Sequence, residues 1–378
     1  MVMTTSEVTG DAAVRSVRAA VSDAVARGAA ATIPDARPAN YDGSPAAYAR
    51  LRRAVVDAGL LQRRYGYYAL RFSSALALVA GAVALLFVLP EGWGWTAFAA
   101  VALGVTITQL GIIGHDAGHM AIFRRERPNW LLGQFCLSFL LGVSFWFWRD
   151  RHNRHHVLTN DEDEDPDLEL GGLFTLNEAE ARTQRGLRRW VTRYQALLFV
   201  PLVTLTLDMA FRSEGWRFTL RELRGPRRLI EVGLLLLSMV LWASPFLVLG
   251  WRWLPIYIGS QWVVNLYLGL VFAPNHKGMP TWAGGLKLSF LERQVLSSCN
   301  VRPGRVSDYF FCGLNYQIEH HLFPNMPRVN FSRARAIVRP FCAAHGLPYE
   351  DLSVIGAYRQ ALGALHEVGL ATREPASA

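Results

Sequence analysis

The stretch FSSALALVAGAVALLFVL at Phe72–Leu89, the join Pro90-Glu91-Gly92, and WGWTAFAAVALGVTITQLGIIG at Trp93–Gly114, which runs straight into His115-Asp116-Ala117-Gly118-His119, decides the fold. A membrane-crossing helix needs about 20 apolar residues rising about 1.5 Å each, and both runs qualify. A join this short predicts a tight helical hairpin. Leu229–Gly250 and Trp253–Ala273 repeat the arrangement across Trp251 and Arg252. The expected spans are therefore about 72–89, 93–114, 229–250 and 253–273, in an all-α integral membrane protein built on two hairpins.

Arginines border these runs: Arg52, Arg53, Arg63, Arg64 and Arg71 before the first pair, Arg124, Arg125 and Arg127 after it, and Arg221, Arg224, Arg227 and Arg228 before the second. By the positive-inside bias, both termini and the section between the hairpins face the cytoplasm. The net charge of +9 then marks a membrane surface, with nucleic acid excluded as a partner. Two more apolar runs, Trp130–Trp148 and Tyr194–Phe211, have arginine on both flanks and read as helices that lie at the interface or dip into it. Four cysteines without C-x-x-C spacing exclude a disulfide scaffold, a zinc ribbon and a cysteine-ligated iron–sulfur cluster.

Outside the runs, residues 1–43 read as a flexible tail, with no stretch of signal-peptide length in the first 68 residues. Ser44 and Pro45 then signal a helix start, and Tyr48, Leu51, Val55 and Leu60 follow at roughly helical spacing. Residues 44–340 make the membrane domain, with cytosolic regions at 115–228 and 274–340, and 341–378 read as a cytosolic tail.

Eight of the 10 histidines fall into four groups: His115 and His119; His152, His155 and His156 in H-N-R-H-H; His276 in P-N-H-K-G; and His320 and His321 in Q-I-E-H-H. On a helix, i, i+3 and i+4 share a face, so the first two groups each present their imidazoles together. His345 and His366 stand alone and read as ordinary surface or core residues. Each group follows the end of an apolar run or lies in the C-terminal region. If Trp130–Trp148 crossed the bilayer, about 30 Å of hydrocarbon would part the first two groups, whereas metal–nitrogen bonds are about 2 Å long. The eight are therefore expected on one cytoplasmic face. Eight imidazoles exceed the needs of one tetrahedral zinc and suit two metals. Imidazole alone leaves Fe, Cu, Zn and Ni open.

The boxes H-D-A-G-H, H-N-R-H-H and N-Y-Q-I-E-H-H-L-F-P (Asn315–Pro324), spaced around paired apolar hairpins, resemble those of the membrane-bound fatty acid desaturases. That resemblance implies two Fe2+ ions held by His115, His119, His152, His155, His156, His276, His320 and His321, and an O2-dependent removal of two hydrogens from an acyl chain carried by CoA or a lipid. Gln317 stands where many members carry a further His, as an oxygen ligand or a polar neighbour. Phe272 stands where the acyl-CoA branch carries an Asn, although Asn275 adjoins His276. Asp116, Asp150 and Glu319 read either as carboxylates that orient imidazoles or as helix-surface acids. Phe145–Trp148 reads as an acyl-tunnel wall or an interface anchor. Asp161–Asp165 lacks the pattern of a calcium loop and reads as a solvated loop.

No H-P-G-G haem motif, dinucleotide fingerprint or cysteine cluster accompanies the boxes, which implies a separate ferredoxin or flavin reductase as electron donor. The expected setting is multi-pass in the cell membrane, among membrane lipids. The rival readings are a membrane hydroxylase of alkanes, sterols or carotenoids, and a transition-metal transporter.

Overall fold

The computed structural model describes residues 38–88, 92–168, 174–282 and 288–373. Residues 1–37 of the tail expected over 1–43, the join at Pro90 and Glu91, and the last five residues lie outside them; residues 38–43 are described, with Asn40 Nδ2 donating to the Ala344 carbonyl at 3.1 Å and the Asp42 amide to the His345 carbonyl at 2.9 Å. The chain divides into two compact units. One takes residues up to Gln62, His152–Ala196 and Val271 onward; the other takes Arg63–Arg151 and Leu197–Leu270.

In chain order the helices are α1 (Pro45–Asp57), α2 (Tyr65–Val88), α3 (Trp93–Gly118), α4 (Glu126–Gly133), a π-helical turn at Gln134–Leu141, α5 (Phe145–Leu158), α6 (Glu178–Thr183), α7 (Gly186–Arg193) and α8 (Phe199–Arg221). They continue as α9 (Gly225–Ala243), α10 (Phe246–Leu249), α11 (Trp253–His276), α12 (Phe290–Ser297), α13 (Arg305–Phe310), α14 (Gln317–Leu322), α15 (Phe331–Ala344) and α16 (Val354–Ala371). A two-stranded parallel pair, β1 (Asn300–Val301) with β2 (Asp351–Leu352), completes the described elements.

In the Arg63–Arg151 and Leu197–Leu270 unit, α2, α3, α9 and α11 are apolar along most of their length, whereas α4, α5 and α8 carry charged residues. Tyr65–Val88, Trp93–Gly118 and the helical run Gly225–His276 are long and apolar enough to cross a membrane. The Gly225–His276 run turns back on itself: the Trp242 and Trp253 rings, 11 positions apart, lie 6.1 Å from each other, where a straight helix would part them by about 16 Å. Helix α2 runs antiparallel to α3, with the Tyr68 hydroxyl donating to Asp116 at 2.9 Å and Arg71 donating to Gln109 at 3.1 Å. Close packing of α3 on α11 depends on Gly104, where a Cβ would lie 2.6 Å from Val263 and 2.8 Å from the Ser260 carbonyl.

The Trp130–Trp148 run is broken. Gly142 takes φ 71°, and Glu126–Leu141 meets Phe145–Leu158 at 111°. Polar pins hold the break. The fully buried Glu231 carboxylate accepts from Gln134 Nε2 at 3.0 Å, Ser138 Oγ at 2.7 Å and the Phe145 amide at 2.8 Å. Arg212 donates to the Leu141 carbonyl at 3.0 Å. Glu231→Leu takes the carboxylate from the buried Gln134 and Ser138 donors and leaves the Phe145 amide only Ser138 Oγ at 3.1 Å; we expect a destabilisation of about 2–3 kcal/mol, read as a lower melting temperature in detergent, and Glu231→Gln, which keeps an acceptor, should lose less. Helix α8, which takes in much of the Tyr194–Phe211 run, is not among the helices apolar enough to cross.

In the other unit, α1 begins where expected. Ser44 caps it by accepting from the Ala47 amide at 3.2 Å. Its Leu51 and Val55 are fully buried, in one core with Leu291, Ile318, Leu322, Phe331 and Val338. A capping box at Ser289 and Glu292 starts α12. The boundary expected at residue 340 falls within α15, and the region beyond it is structured: α16 packs on α6 and α7, with Gln195 donating to the Leu365 carbonyl at 2.9 Å. All four cysteines are buried and unpaired with one another.

Candidate metal centre

His115 and His119 occupy the last turn of α3, one turn apart, with ring centroids 4.7 Å from each other. The Asp116 carboxylate stands 3.1 Å from His115 Nδ1, and the Tyr68 hydroxyl fixes its other oxygen. Trp148 covers both imidazoles, at 5.4 and 6.2 Å. Gly118 is what lets it in: a Cβ there would lie 2.4 Å from the indole. The H-D-A-G-H box thus supplies two imidazoles, an orienting carboxylate and space for an aromatic cover.

The unit that holds α12, α14 and α15 gathers the other six histidines. His152, His155 and His156 share one face of α5, His276 ends α11, and His320 and His321 lie on α14. Their rings form a continuous cluster. His155 to His276 is 4.8 Å, His276 to His321 is 4.5 Å, His321 to His156 is 4.1 Å, and His156 to His320 is 4.7 Å.

Donor geometry suits metal binding. One ring nitrogen from each of His155, His276 and His321 lies within 4.8 Å of the others, and the same holds for His156, His320 and His321. Two imidazoles on one metal place their nitrogens about 3.4 Å apart at bonds of about 2.1 Å. His152 Nε2 and His156 Nε2 face each other at 3.2 Å. His321 belongs to both triads.

Outer contacts fix which nitrogen is offered. His155 Nδ1 stands 3.0 Å from the Asp165 carboxylate, His276 Nδ1 is 2.9 Å from the Ser297 carbonyl, and His321 Nδ1 is 2.9 Å from Gln294 Oε1. Each partner accepts, so each Nδ1 carries the proton and Nε2 keeps its lone pair for a metal. Gln294 is itself held by donating to the His156 carbonyl at 2.8 Å. Asp165 is buried; burial opposes its charge, yet the His155 imidazole and the Asp167 and Asn160 amides hold its carboxyl below the usual carboxylate range.

These findings revise several expectations. Asp165 belongs to the acidic run read as a solvated loop, but it orients an imidazole. Asp150 is solvent-exposed on α5. Glu319 accepts from Asn300 Nδ2 at 2.8 Å and the Tyr349 hydroxyl at 2.7 Å rather than from an imidazole, and burial pushes its carboxyl up to about 7. Asn275 Nδ2 donates to Gln317 Oε1 at 3.1 Å, and the Gln317 amide nitrogen lies 2.9 Å from His276 Nε2. His345 sits apart, stacked on Phe341 at 3.9 Å. Gln294 and the Ser297 carbonyl carried no signal in the spacing of the boxes.

Buried histidine groups with donor spacing that suits a metal, together with long apolar helices, point to a membrane-associated protein with a candidate metal site. The family model for fatty acid desaturases matches residues 91–353. Fatty acid desaturase 3 of Bos taurus is 32% identical over 79% of this chain and 68% of its own. The acyl-lipid (9-3)-desaturase of Physcomitrium patens is 29% identical over 82% of this chain and 60% of its own. The Delta(6)-fatty-acid desaturase fat-3 of Caenorhabditis elegans is 27% identical over 80% of this chain and 70% of its own. The chain belongs to the fatty acid desaturase family. Its chemistry is the oxygen-dependent desaturation of acyl chains.

Proposed function

We propose that the chain introduces a cis double bond into an acyl chain carried by CoA or a lipid, using two iron ions held by His115, His119, His152, His155, His156, His276, His320 and His321. The Gln317 amide beside His276 is a further oxygen donor once turned. The observation that carries this reading is the pair of histidine triads sharing His321, with the Nδ1 atoms of His155, His276 and His321 each held by an acceptor. Iron supplies the oxidising power drawn from O2 that an unactivated methylene requires.

The chain's own residues do the rest. Asp165, the Ser297 carbonyl and Gln294 keep protons on the three Nδ1 atoms. Burial of His155, His156, His320 and His321 keeps water from the donors. Trp148 shields His115 and His119.

The apolar helices serve as four crossings in two hairpins, α2 with α3 and α9 with α11. The broken α4–α5 pair dips in and out without crossing. Both termini, the regions 115–228 and 274 onward, and the histidines then lie on the cytoplasmic side of the cell membrane, within a desaturase domain that starts at residue 44 and runs through α16. A separate ferredoxin or flavin reductase delivers the electrons. The arginines at the span edges and the reversal at Trp242–Trp253 support this layout.

Gas chromatography–mass spectrometry of host lipids, with and without expression, tests the reading. New double bonds at one chain position are expected. Hydroxylated products alone would assign the scaffold to a hydroxylase, and metal uptake without a change in lipids would assign it to transport.

A further inference from the structure

Helix α14 carries His320 and His321 but spans only six residues, Gln317–Leu322. Isolated helices shorter than about 12 residues are marginal in water, so the geometry of α14 depends on what grips it from outside. Its Ile318 and Leu322 pack into the core. That contact is non-directional and sets no fine register. Direction comes from Asn300 of β1, whose side chain is fully buried. Asn300 Oδ1 accepts from the Ile318 amide at 2.9 Å, one of the helix-start amides that no carbonyl within α14 can reach. Asn300 Nδ2 donates to Glu319 Oε2 at 2.8 Å and to the Tyr349 hydroxyl at 2.6 Å, and that hydroxyl donates to Glu319 Oε1 at 2.7 Å. One side chain thus fixes the two residues directly before His320.

The segment that ends in Asn300 also grips the end of α11. The Ser297 carbonyl takes the His276 Nδ1 proton, the Cys299 amide donates to the Asn275 carbonyl at 2.9 Å, and the Cys299 thiol donates to the Pro274 carbonyl at 3.1 Å. From the other side, the Asn300 amide donates to the Glu350 carbonyl at 2.9 Å, where β1 pairs with β2. Residues 297–300 therefore touch both ligand-bearing segments, whose His276 and His321 rings stand 4.5 Å apart.

We propose that Asn300 is a positioning residue of the metal centre: through Ile318 and Glu319 it sets the register of α14, and so the separation of His320 and His321 from His156 and His276. This deepens the desaturase reading and rests on it. Glu319, which touches no imidazole, is the handle by which α14 is held. Its two oxygens meet two donors inside a buried network, where an unmatched polar group is costly, so the pairing tolerates little displacement.

The test is a reciprocal exchange in the full chain, purified and loaded with iron. Asn300→Asp sets one carboxylate against another; iron retention against a soluble chelator is expected to fall about tenfold or more, and the near-infrared ligand-field bands of bound Fe2+ to shift. Adding Glu319→Gln returns an amide to the pair from the opposite side. The double variant is expected to recover part of both losses, a coupling that independent effects do not give. Tyr349→Phe removes one donor to Glu319 and leaves Asn300 in place, so its loss should be smaller. A change confined to the melting temperature, with retention and bands as in the wild type, makes Asn300 a purely structural residue and overturns the proposal. A double variant no better than Asn300→Asp overturns it too. Where Asn300→Asp does not fold, Tyr349→Phe decides: shifted bands with weaker retention support the role, and wild-type values overturn it. Lipid profiles of a host expressing the wild type keep the two levels apart. Double bonds with no effect of the exchange remove the positioning role alone, whereas no double bonds remove the desaturase reading and the role with it.

Discussion

His321→Ala is expected to reduce desaturation below detection and to lower the bound metal. Its imidazole stands within donor reach of both the His155–His276 and the His156–His320 pairs among the described residues, and its one free nitrogen, Nε2, serves one metal, so truncation leaves that metal a donor short. The change also strips a partner from Gln294 and Thr159, both buried beside it. Metal analysis of the purified variant, together with lipid profiles of the expressing host, checks both effects. His345→Ala is the matched control. That ring stacks on Phe341 outside the cluster, and its loss should leave metal content and products unchanged. A His321→Ala protein that keeps full metal and activity would remove His321 from the ligand set.

Asp165→Ala is expected to weaken metal retention by about 10- to 100-fold, the usual cost of removing a partner that orients a ligand. The carboxylate does two jobs. It fixes the His155 proton on Nδ1, and it accepts from the Asn160 and Asp167 amides, which shape the loop around it. Asp165→Asn keeps one acceptor oxygen and should fall between wild type and Ala. Competition against a soluble chelator reads the effect, with the melting temperature as a check on folding. Equal retention by all three proteins would show that Asp165 serves the loop alone.

What could be read from the sequence follows from what spacing encodes. The apolar runs, the helix start at Ser44 and Pro45, and the four histidine groups depend on near neighbours along the chain, and their periodicity is visible. Groups that tune the site arrive from afar. Asp165 lies 10 residues from His155 and looked like one acid in a solvated run. Gln294 reaches His321 from 27 residues away, and Ser297 offers only a backbone carbonyl, which no side-chain pattern reveals.

The converse also holds. Glu319 adjoins His320 in the chain, yet helix geometry turns its carboxylate toward Asn300 and Tyr349. Adjacent positions on a helix point about 100° apart, so adjacency alone does not decide an imidazole's partner: Asp116 reaches the neighbouring His115, whereas Glu319 turns away from His320. Glu231 was hidden for a different reason. A lone acid at the start of an apolar run reads as a span-edge residue, and its donors, Gln134, Ser138 and the Phe145 amide, lie 86 to 97 residues away in sequence.

The central claim is a centre of two iron ions, and metal analysis of the purified wild-type chain tests it most directly. Close to two iron ions per chain are expected, falling on treatment with chelator and returning with added Fe2+. A single stoichiometric zinc, or iron content unaffected by His321→Ala, would contradict it.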